Sequence, residues 1–273
     1  MAQTDIPAGL RLCRASGWNQ TESDWRCFLD FNPQGCRVVE AEGRVVGTVT
    51  TLRFEDRFSW ISMLLVDPEM RHRGIGSMLL GEALRLLNDI PTVRLDATPA
   101  GKLVYDKFGF VEEYRLVRMR ALSPKSTTRS GVHLMTDSDL PRVLEFDREV
   151  FGADRGAILR HLYGSAPEYA FVAESAGDVH GFALGRHGWN AEHLGPLVTP
   201  DEAVARSLAS AYLSRLGPRP CLLDAPQHSG TWTAWLKSLG FVAERPFIRM
   251  FRGPNSYPGL PDHQFAITGP EFG

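Results

Sequence analysis

From Arg37 onward the apolar residues come in short, β-branched runs broken by turns: RVVEAE, Gly43, RVVGTVTTLRF, the charged turn Glu55-Asp56-Arg57, then FSWISMLLV. Runs of this kind joined by glycine or charged turns predict an antiparallel meander. The third run is almost wholly apolar, as expected of a central strand covered on both faces. It ends at Asp67-Pro68, because proline offers no N–H to the ladder. Past the loop EMRHRGIG the period changes, and Met78, Leu79, Ala83, Leu84, Leu86 and Leu87 share one broad helical face. A strand over 93–97, a short helix over 103–109 ended by Gly109, and a last strand over 110–120 are expected next. A meander followed by alternating helix and strand predicts an α/β (α+β) fold.

The second half repeats this logic. After the polar, aperiodic stretch LSPKSTTRSG (122–131), a strand at VHL leads into a helix capped by Asp137 or Ser138, with Pro141 tolerated in its first turn. YAFVAES, VHGFALGRHG and AEHLGPLV then predict a second meander, and DEAVARSLASAYLSRL an amphipathic helix. GFVEEYRLVRM (109–119) aligns without a gap on GFVAERPFIRM (240–250), and each copy follows a Leu-Asp-Ala strand, at 95–97 and 223–225. Two related units are therefore expected, 1–121 and 132–252, joined by a linker over 122–131. The Gly- and Pro-rich segment 253–273 is expected to pack on the body as an irregular extension.

Composition narrows the function classes. The 273 residues are 43% hydrophobic and 23% charged with a formal net charge of -2, an ordinary globular balance that argues against a general nucleic-acid binder. Cys13, Cys27, Cys36 and Cys221 form no CxxC pair and have no histidine at metal-ligand spacing, so neither a metal site nor a disulfide framework is expected. No run approaches the ~18 apolar residues of a membrane span, and the N-terminus lacks a signal-peptide pattern. These features predict a cytoplasmic protein with no membrane or nucleic-acid partner, and leave room for a homodimer.

The chemistry is concentrated at Arg71-His72-Arg73-Gly74-Ile75-Gly76-Ser77. Two glycines between an apolar strand and an apolar helix let the backbone turn with positive φ and let a ligand reach the amides without meeting a Cβ. The unpaired N–H groups and positive dipole end of the helix then suit a pyrophosphate. MLLVDPEMRHRGIGSMLL resembles the acetyl-CoA motif of the GNAT superfamily, whose R/Q-x-x-G-x-G/A loop matches Arg71, Gly74 and Gly76. The resemblance covers about residues 8–120 and extends more faintly through the second half. Gly17-Trp18-Asn19-Gln20-Thr21 and Leu95 to Gly101 are similar to a GNAT subfamily with an additional C-terminal GNAT-like domain. It implies two units, each a mixed, mostly antiparallel sheet flanked by helices.

The same resemblance implies an acetyl-CoA-dependent N-acetyltransferase that releases coenzyme A and acts on an amine of a small molecule or peptide. Met63, Leu64, Leu65 and Val66 would pair with the pantetheine arm like an added strand, and Tyr105 would protonate the departing sulfur. There are departures from the family pattern. Thr98 stands where many relatives have asparagine, and Trp60 where some have a basic glutamate. A water relay, Asp56 or a carboxylate from the second half would then serve as base. Trp18, Asn19, Trp25 and Trp60 are the candidate acceptor-side residues, with Asp24 beside them. In the second unit, Gly195 to Glu202 lacks the GxG, places Asp201 and Glu202 where pyrophosphate would sit, and puts Leu236 in the tyrosine position. That unit is expected to have lost acetyl-CoA binding, and Asp147 and Arg155 are expected to form a surface ion pair. Trp60 in place of a carboxylate keeps a second reading open, a non-catalytic acyl-CoA-binding or ligand-sensing protein.

Overall fold

The structure is a computed structural model that describes residues 1–125 and 131–273. Most of the expected linker, 126–130, lies outside the described residues. The first unit runs α1 (Ile6–Ala15), α2 (Glu22–Phe31), β1 (Arg37–Ala41), β2 (Arg44–Phe54), β3 (Phe58–Val66), α3 (Ile75–Leu86), β4 (Val93–Ala97), α4 (Pro99–Tyr105) and β5 (Val111–Ala121). The second runs β6 (Val132–Leu134), α5 (Leu140–Phe151), α6 (Gly156–Ser165), β7 (Phe171–Ser175), β8 (Asp178–Arg186), β9 (Glu192–Val198), α7 (Glu202–Arg215), β10 (Cys221–Pro226), α8 (Gly230–Ser238) and β11 (Val242–Arg252). A last strand, β12 (Gln264–Ala266), lies in the C-terminal segment. Asp139, rather than Asp137 or Ser138, stands at the start of α5; its carboxylate accepts the Thr136 N–H at 2.9 Å.

All the strands join one sheet in the order β1-β2-β3-β4-β11-β5-β10-β9-β8-β7-β6, with β12 on β9. The two copies of the sequence repeat are β5 and β11, and each has crossed into the other unit. β11 pairs with β4, aligning Arg249 with Asp96, and β5 pairs with β10, aligning Arg118 with Asp224. The crossed ion pairs are bidentate and their side chains are buried, Arg249–Asp96 at 2.9 Å and Arg118–Asp224 at 2.8 Å. Desolvation of two charges is offset only by such geometry, so these pairs hold the exchanged strands in register.

The core is shared as well. Trp25, Phe28, Phe54 and Phe58 of the first unit pack in one cluster with Phe151, Phe182 and Phe272 from beyond the linker. Phe28 stacks on Phe272 with ring centroids 4.8 Å apart, and Phe54 meets Phe151 edge-on at 4.9 Å. The segment 264–273 is almost wholly buried. The four cysteines are buried and unbonded to one another, and burial pushes Cys13 and Cys27 up to about 12. Among the described residues no helix is long and apolar enough to cross a membrane.

Candidate active site

The strand β3 is stopped by Asp67, whose carboxylate takes the guanidinium groups of Arg11 and Arg44 at 2.7 and 3.0 Å. The Arg11 hydrogen bond holds that carboxyl below its usual range. The chain then turns through His72 at φ 62 and Gly74 at φ 81, two left-handed residues on either side of Arg73. Gly74 is the residue before α3, and the first helical bond runs from Met78 N to Gly74 O at 3.0 Å. The amides of Ile75, Gly76 and Ser77 therefore lie ahead of the helical ladder. A Cβ built on Gly74 meets nothing within 4 Å, and one on Gly76 meets only Val66 and Leu64 side chains at 3.8 and 3.9 Å. Arg71, His72 and Arg73 are exposed around this opening, and Arg71 folds back to the Val66 carbonyl at 3.3 Å. The seven residues of the predicted loop thus form one open, electropositive helix start suited to a phosphate group.

Beside it, β3 leaves β4. The two parallel strands pair only at Ser59↔Val93 and Trp60↔Arg94. On the other edge of β3 the register with β2 slips between Thr48↔Leu65 and Thr50↔Ser62, so two residues oppose one and Met63 takes φ 48. This bulge bends the strand and takes backbone groups out of the ladder, and the Thr48 hydroxyl holds the Met63 carbonyl at 2.8 Å. Ile61, Ser62, Met63 and Leu64 consequently line a cavity of about 150 Å³ in the gap. Thr98, Gly101 and Tyr105, from the end of β4 and from α4, close the same cavity.

Tyr105 stands edge-on to Phe110, with ring centroids 5.9 Å apart, and burial pushes its phenol up to about 12. It is a proton donor at neutral pH, not a base. A Cβ on Gly101 would come within 3.0 Å of the Tyr105 ring, so the glycine makes room for it. Thr98 caps α4, accepting the Gly101 N–H at 3.2 Å. It lines the cavity, and its one hydroxyl hydrogen remains free to donate.

The four residues expected on the acceptor side divide. Trp18 lines the cavity. Asn19 does not: it is buried and ties the two units together, accepting the Asn190 and Ala191 N–H groups and donating to Ala191 O at 3.0 Å. Trp25 is fully buried against Gly9, where an added Cβ would stand 2.7 Å from its ring. Trp60 is fully buried too; its indole N–H donates to Pro270 O at 2.9 Å and Arg249 lies 4.6 Å over its ring. Burial gives these three packing and tethering roles: Trp25 sits in the core shared by both units, and Asn19 and Trp60 bond to residues from beyond the linker. Asp56, one of the candidate bases, sits in an exposed turn and does not line the cavity. The predicted surface pair Asp147–Arg155 is in fact fully buried, bidentate at 2.8 Å, and Arg155 also donates to Thr268 Oγ1 and Gly273 O.

Arg155, Trp60 and Arg186 fasten the C-terminal segment, which brings Pro270 and Glu271 to the cavity wall. Glu271 is buried with one carboxylate oxygen on Arg186, and its Oε2 has no hydrogen-bond partner. Burial opposes its charge, but Arg186, His193 and Arg118 outweigh burial and hold it below the usual carboxylate range. Arg118, Arg245 and Phe247 complete the wall from β5 and β11. None of these five was singled out from the sequence, because the strand exchange and the return of the C-terminal segment bring them in. Elsewhere, His133, Asp139 and Glu174 bring potential ligand atoms within 4.8 Å of one another, but Arg142 already ion-pairs with both carboxylates.

Comparison with known proteins agrees with this architecture. Two models described as acetyltransferase (GNAT) domains match residues 32–112 and 143–266. The chain is 27% identical over 241 residues to the holothin acyltransferase of Pseudoalteromonas sp. (strain SANK 73390), covering 88% of this chain and 82% of that protein. In fold it is similar to a candidate acetyltransferase of Pyrococcus horikoshii, with a TM-score of 0.83 and 24% identity over 100% of this chain and 94% of the other. A tandem GNAT protein from the clavulanic acid biosynthesis pathway aligns with a TM-score of 0.61 and 19% identity, covering 87% and 90% of the two chains.

Proposed function

This chain belongs to the GNAT acetyltransferases as two GNAT domains in tandem, and from that premise we propose that its first unit moves an acetyl group from acetyl-CoA to a primary amine of a small molecule or peptide by direct transfer in a ternary complex. The observation that carries this reading is adjacency: Leu64, which lines the cavity bearing Tyr105 where β3 parts from β4, also lies beside Gly76 at the open start of α3. The amides of 75–77 with Arg71 and Arg73 would hold the pyrophosphate, and the unpaired edge of residues 63–66 would hold the pantetheine arm. The thioester supplies the activated acyl carbon.

Glu271 would hold the incoming ammonium and relay a proton from it toward the cavity mouth. A carboxylate held below its usual range is a weak base, so orientation is its larger share of the work. Tyr105 would give its proton to the sulfur as the C–S bond breaks and the N–C bond forms. Over the reaction the ammonium loses two protons: one replaces the proton of Tyr105 and one goes to solvent. The test is thiol release from acetyl-CoA across a panel of primary amines, with binding measured by calorimetry. Amine-dependent release supports transfer. Tight binding with no release from any amine would sink it in favour of an acyl-CoA-binding protein.

A further inference from the structure

The polar groups around the acceptor end of the cavity do not cancel. Glu271 Oε2 and Gln20 Oε1 are buried acceptors without hydrogen-bond partners, and both residues line the cavity. Buried acceptors left in this state cost free energy unless a donor arrives. Across the same cavity stands Arg245, which makes no hydrogen bond or ion pair among the described residues. Its guanidinium lies under the 17–18 loop, with Nη2 3.9 Å from where a Gly17 Cβ would be. Arg118, its neighbour on the wall, is already satisfied by Asp224. The cavity therefore offers two free acceptors and one free cationic donor, the complement of a molecule with an ammonium at one point and an anion at another.

The repeat sharpens the point. In the gapless alignment Arg245 occupies the place of Tyr114, whose hydroxyl instead takes a hydrogen bond from Arg249 beside Asp96. One copy thus spends this position on supporting a crossed ion pair, and the other turns a cation toward the cavity. Burial, and after it the charge of Arg118, lower the pKa of Arg245, so an arriving anion relieves a cost already present in the free protein.

We propose that the acceptor amine also carries a carboxylate, which Arg245 binds while the amine nitrogen rests against Glu271 and Gln20. This rests on the acetyltransferase reading. Trp18, Phe247 and Ile61 give the cavity apolar walls, so phenylalanine, phenylalaninamide and phenethylamine are suitable probes: they share an amine and a ring and differ in the acidic group.

Thiol release is measured for all three with wild type, Arg245→Gln and Arg245→Lys, and phenylalanine binding to the coenzyme A-loaded protein is followed by calorimetry. The expected wild-type preference for the acid over the amide is about 10- to 100-fold in kcat/KM, the worth of a hydrogen bond between charged groups. Arg245→Gln brings that ratio toward one, and Arg245→Lys keeps part of it. Equal or better use of phenethylamine, with a ratio unmoved by Arg245→Gln, overturns the proposal and leaves acetyl transfer standing. Phenylalanine binding that depends on Arg245, with no release from any probe or from the wider amine panel, supports the anion site and sinks the transferase reading. Absence of both binding and release overturns the proposal.

Discussion

At the start of α3 three backbone amides face open space, whereas at the start of α7 the chain supplies its own anion. The Asp201 carboxylate accepts the Ala203 N–H, and Glu202 is held by Arg206, Ser229 and Thr231. The neighbouring clefts differ in the same sense. β3 and β4 part after two pairs and leave a cavity. β9 and β10 stay paired from Glu192↔Cys221 to Leu194↔Leu223, and the gap beyond is filled by β12. That strand pairs with β9 at Gln264↔Val198 and Ala266↔Leu197, while Ile267 donates its N–H to Asp224 O at 3.0 Å. Gly195 allows the close approach, because a Cβ there would stand 2.0 Å from Ile267 O. A segment of the chain's own backbone thus lies where the first unit would receive a ligand arm. Both copies have a cleft between equivalent strands, and the second cleft holds the segment that carries Glu271 to the cavity of the first unit.

The crossed ion pairs are where this comparison breaks with the largest effect. Asp224→Asn leaves Arg118 buried without its partner and is expected to cost about 3–5 kcal/mol in urea denaturation. Asp96→Asn should cost less, because Arg249 keeps a bond to the Tyr114 hydroxyl, whereas Asp224 also faces His193 at 3.3 Å. Losses under about 1 kcal/mol for both would mean that the pairs do not hold the exchange. Burial opposes the Asp224 charge, yet Arg118 and His193 bring its pKa below the usual 3.8. The stability it contributes is therefore fully present above that value and is lost as pH falls through the lower folded one. Melting curves of the wild type should fall away below pH 4, and those of Asp224→Asn should be flatter there.

Next in size is the helix start. Gly74→Glu puts a carboxylate in front of the α3 amides at a position with no steric neighbour. It is expected to weaken acetyl-CoA binding at least about 100-fold by calorimetry. The left-handed backbone at Gly74 adds strain of about 1–2 kcal/mol, so the urea midpoint should fall without the fold being lost. Unchanged affinity would remove the phosphate site from α3.

How much of this was legible follows from what is local. The turn at 71–77 was readable because glycine placement, a strand end and a helix start are consecutive in sequence. The β5 and β11 strands were readable as a repeat, but their exchange was not: an alignment shows that two strands are alike, not which neighbour each pairs with. Asn19 and Trp60 were misplaced for the same reason, since the partners that bury them lie far off in sequence at Ala191, Arg249 and Pro270, while Trp25 packs on Gly9 of its own unit within the shared core. Glu271 and Arg245 carry no local signal. Their meaning comes from hydrogen bonds they do not make, and those exist only once both units and the C-terminal segment are assembled.

Tyr105 and its counterpart Leu236 give a third contrast. Leu236 is fully buried, so the second copy retains only the packing role. Tyr105→Phe keeps the ring against Phe110 and should lower kcat about 100-fold with little change in acetyl-CoA affinity. Because burial pushes the phenol up to about 12, wild-type kcat should show no loss from this group between pH 7 and 10. An alkaline limb near pH 8 that disappears in Tyr105→Phe would contradict the assigned pKa and the role together.

The smallest expected effect separates two obstacles that acetyl-CoA would meet in the second cleft. The Asp201 carboxylate would repel phosphate from α7, and β12 lies on the path that a ligand arm would follow; either alone would disfavour binding there. Asp201→Ala removes the first obstacle and leaves the second. It should cost about 1 kcal/mol of stability, the usual worth of a helix cap, while calorimetry still shows one acetyl-CoA per chain with unchanged affinity. A second binding event in Asp201→Ala would mean that charge alone had closed the cleft and that β12 yields to a ligand. A stoichiometry held at one places the closure in the backbone of 264–267, where no single side-chain change would reopen it.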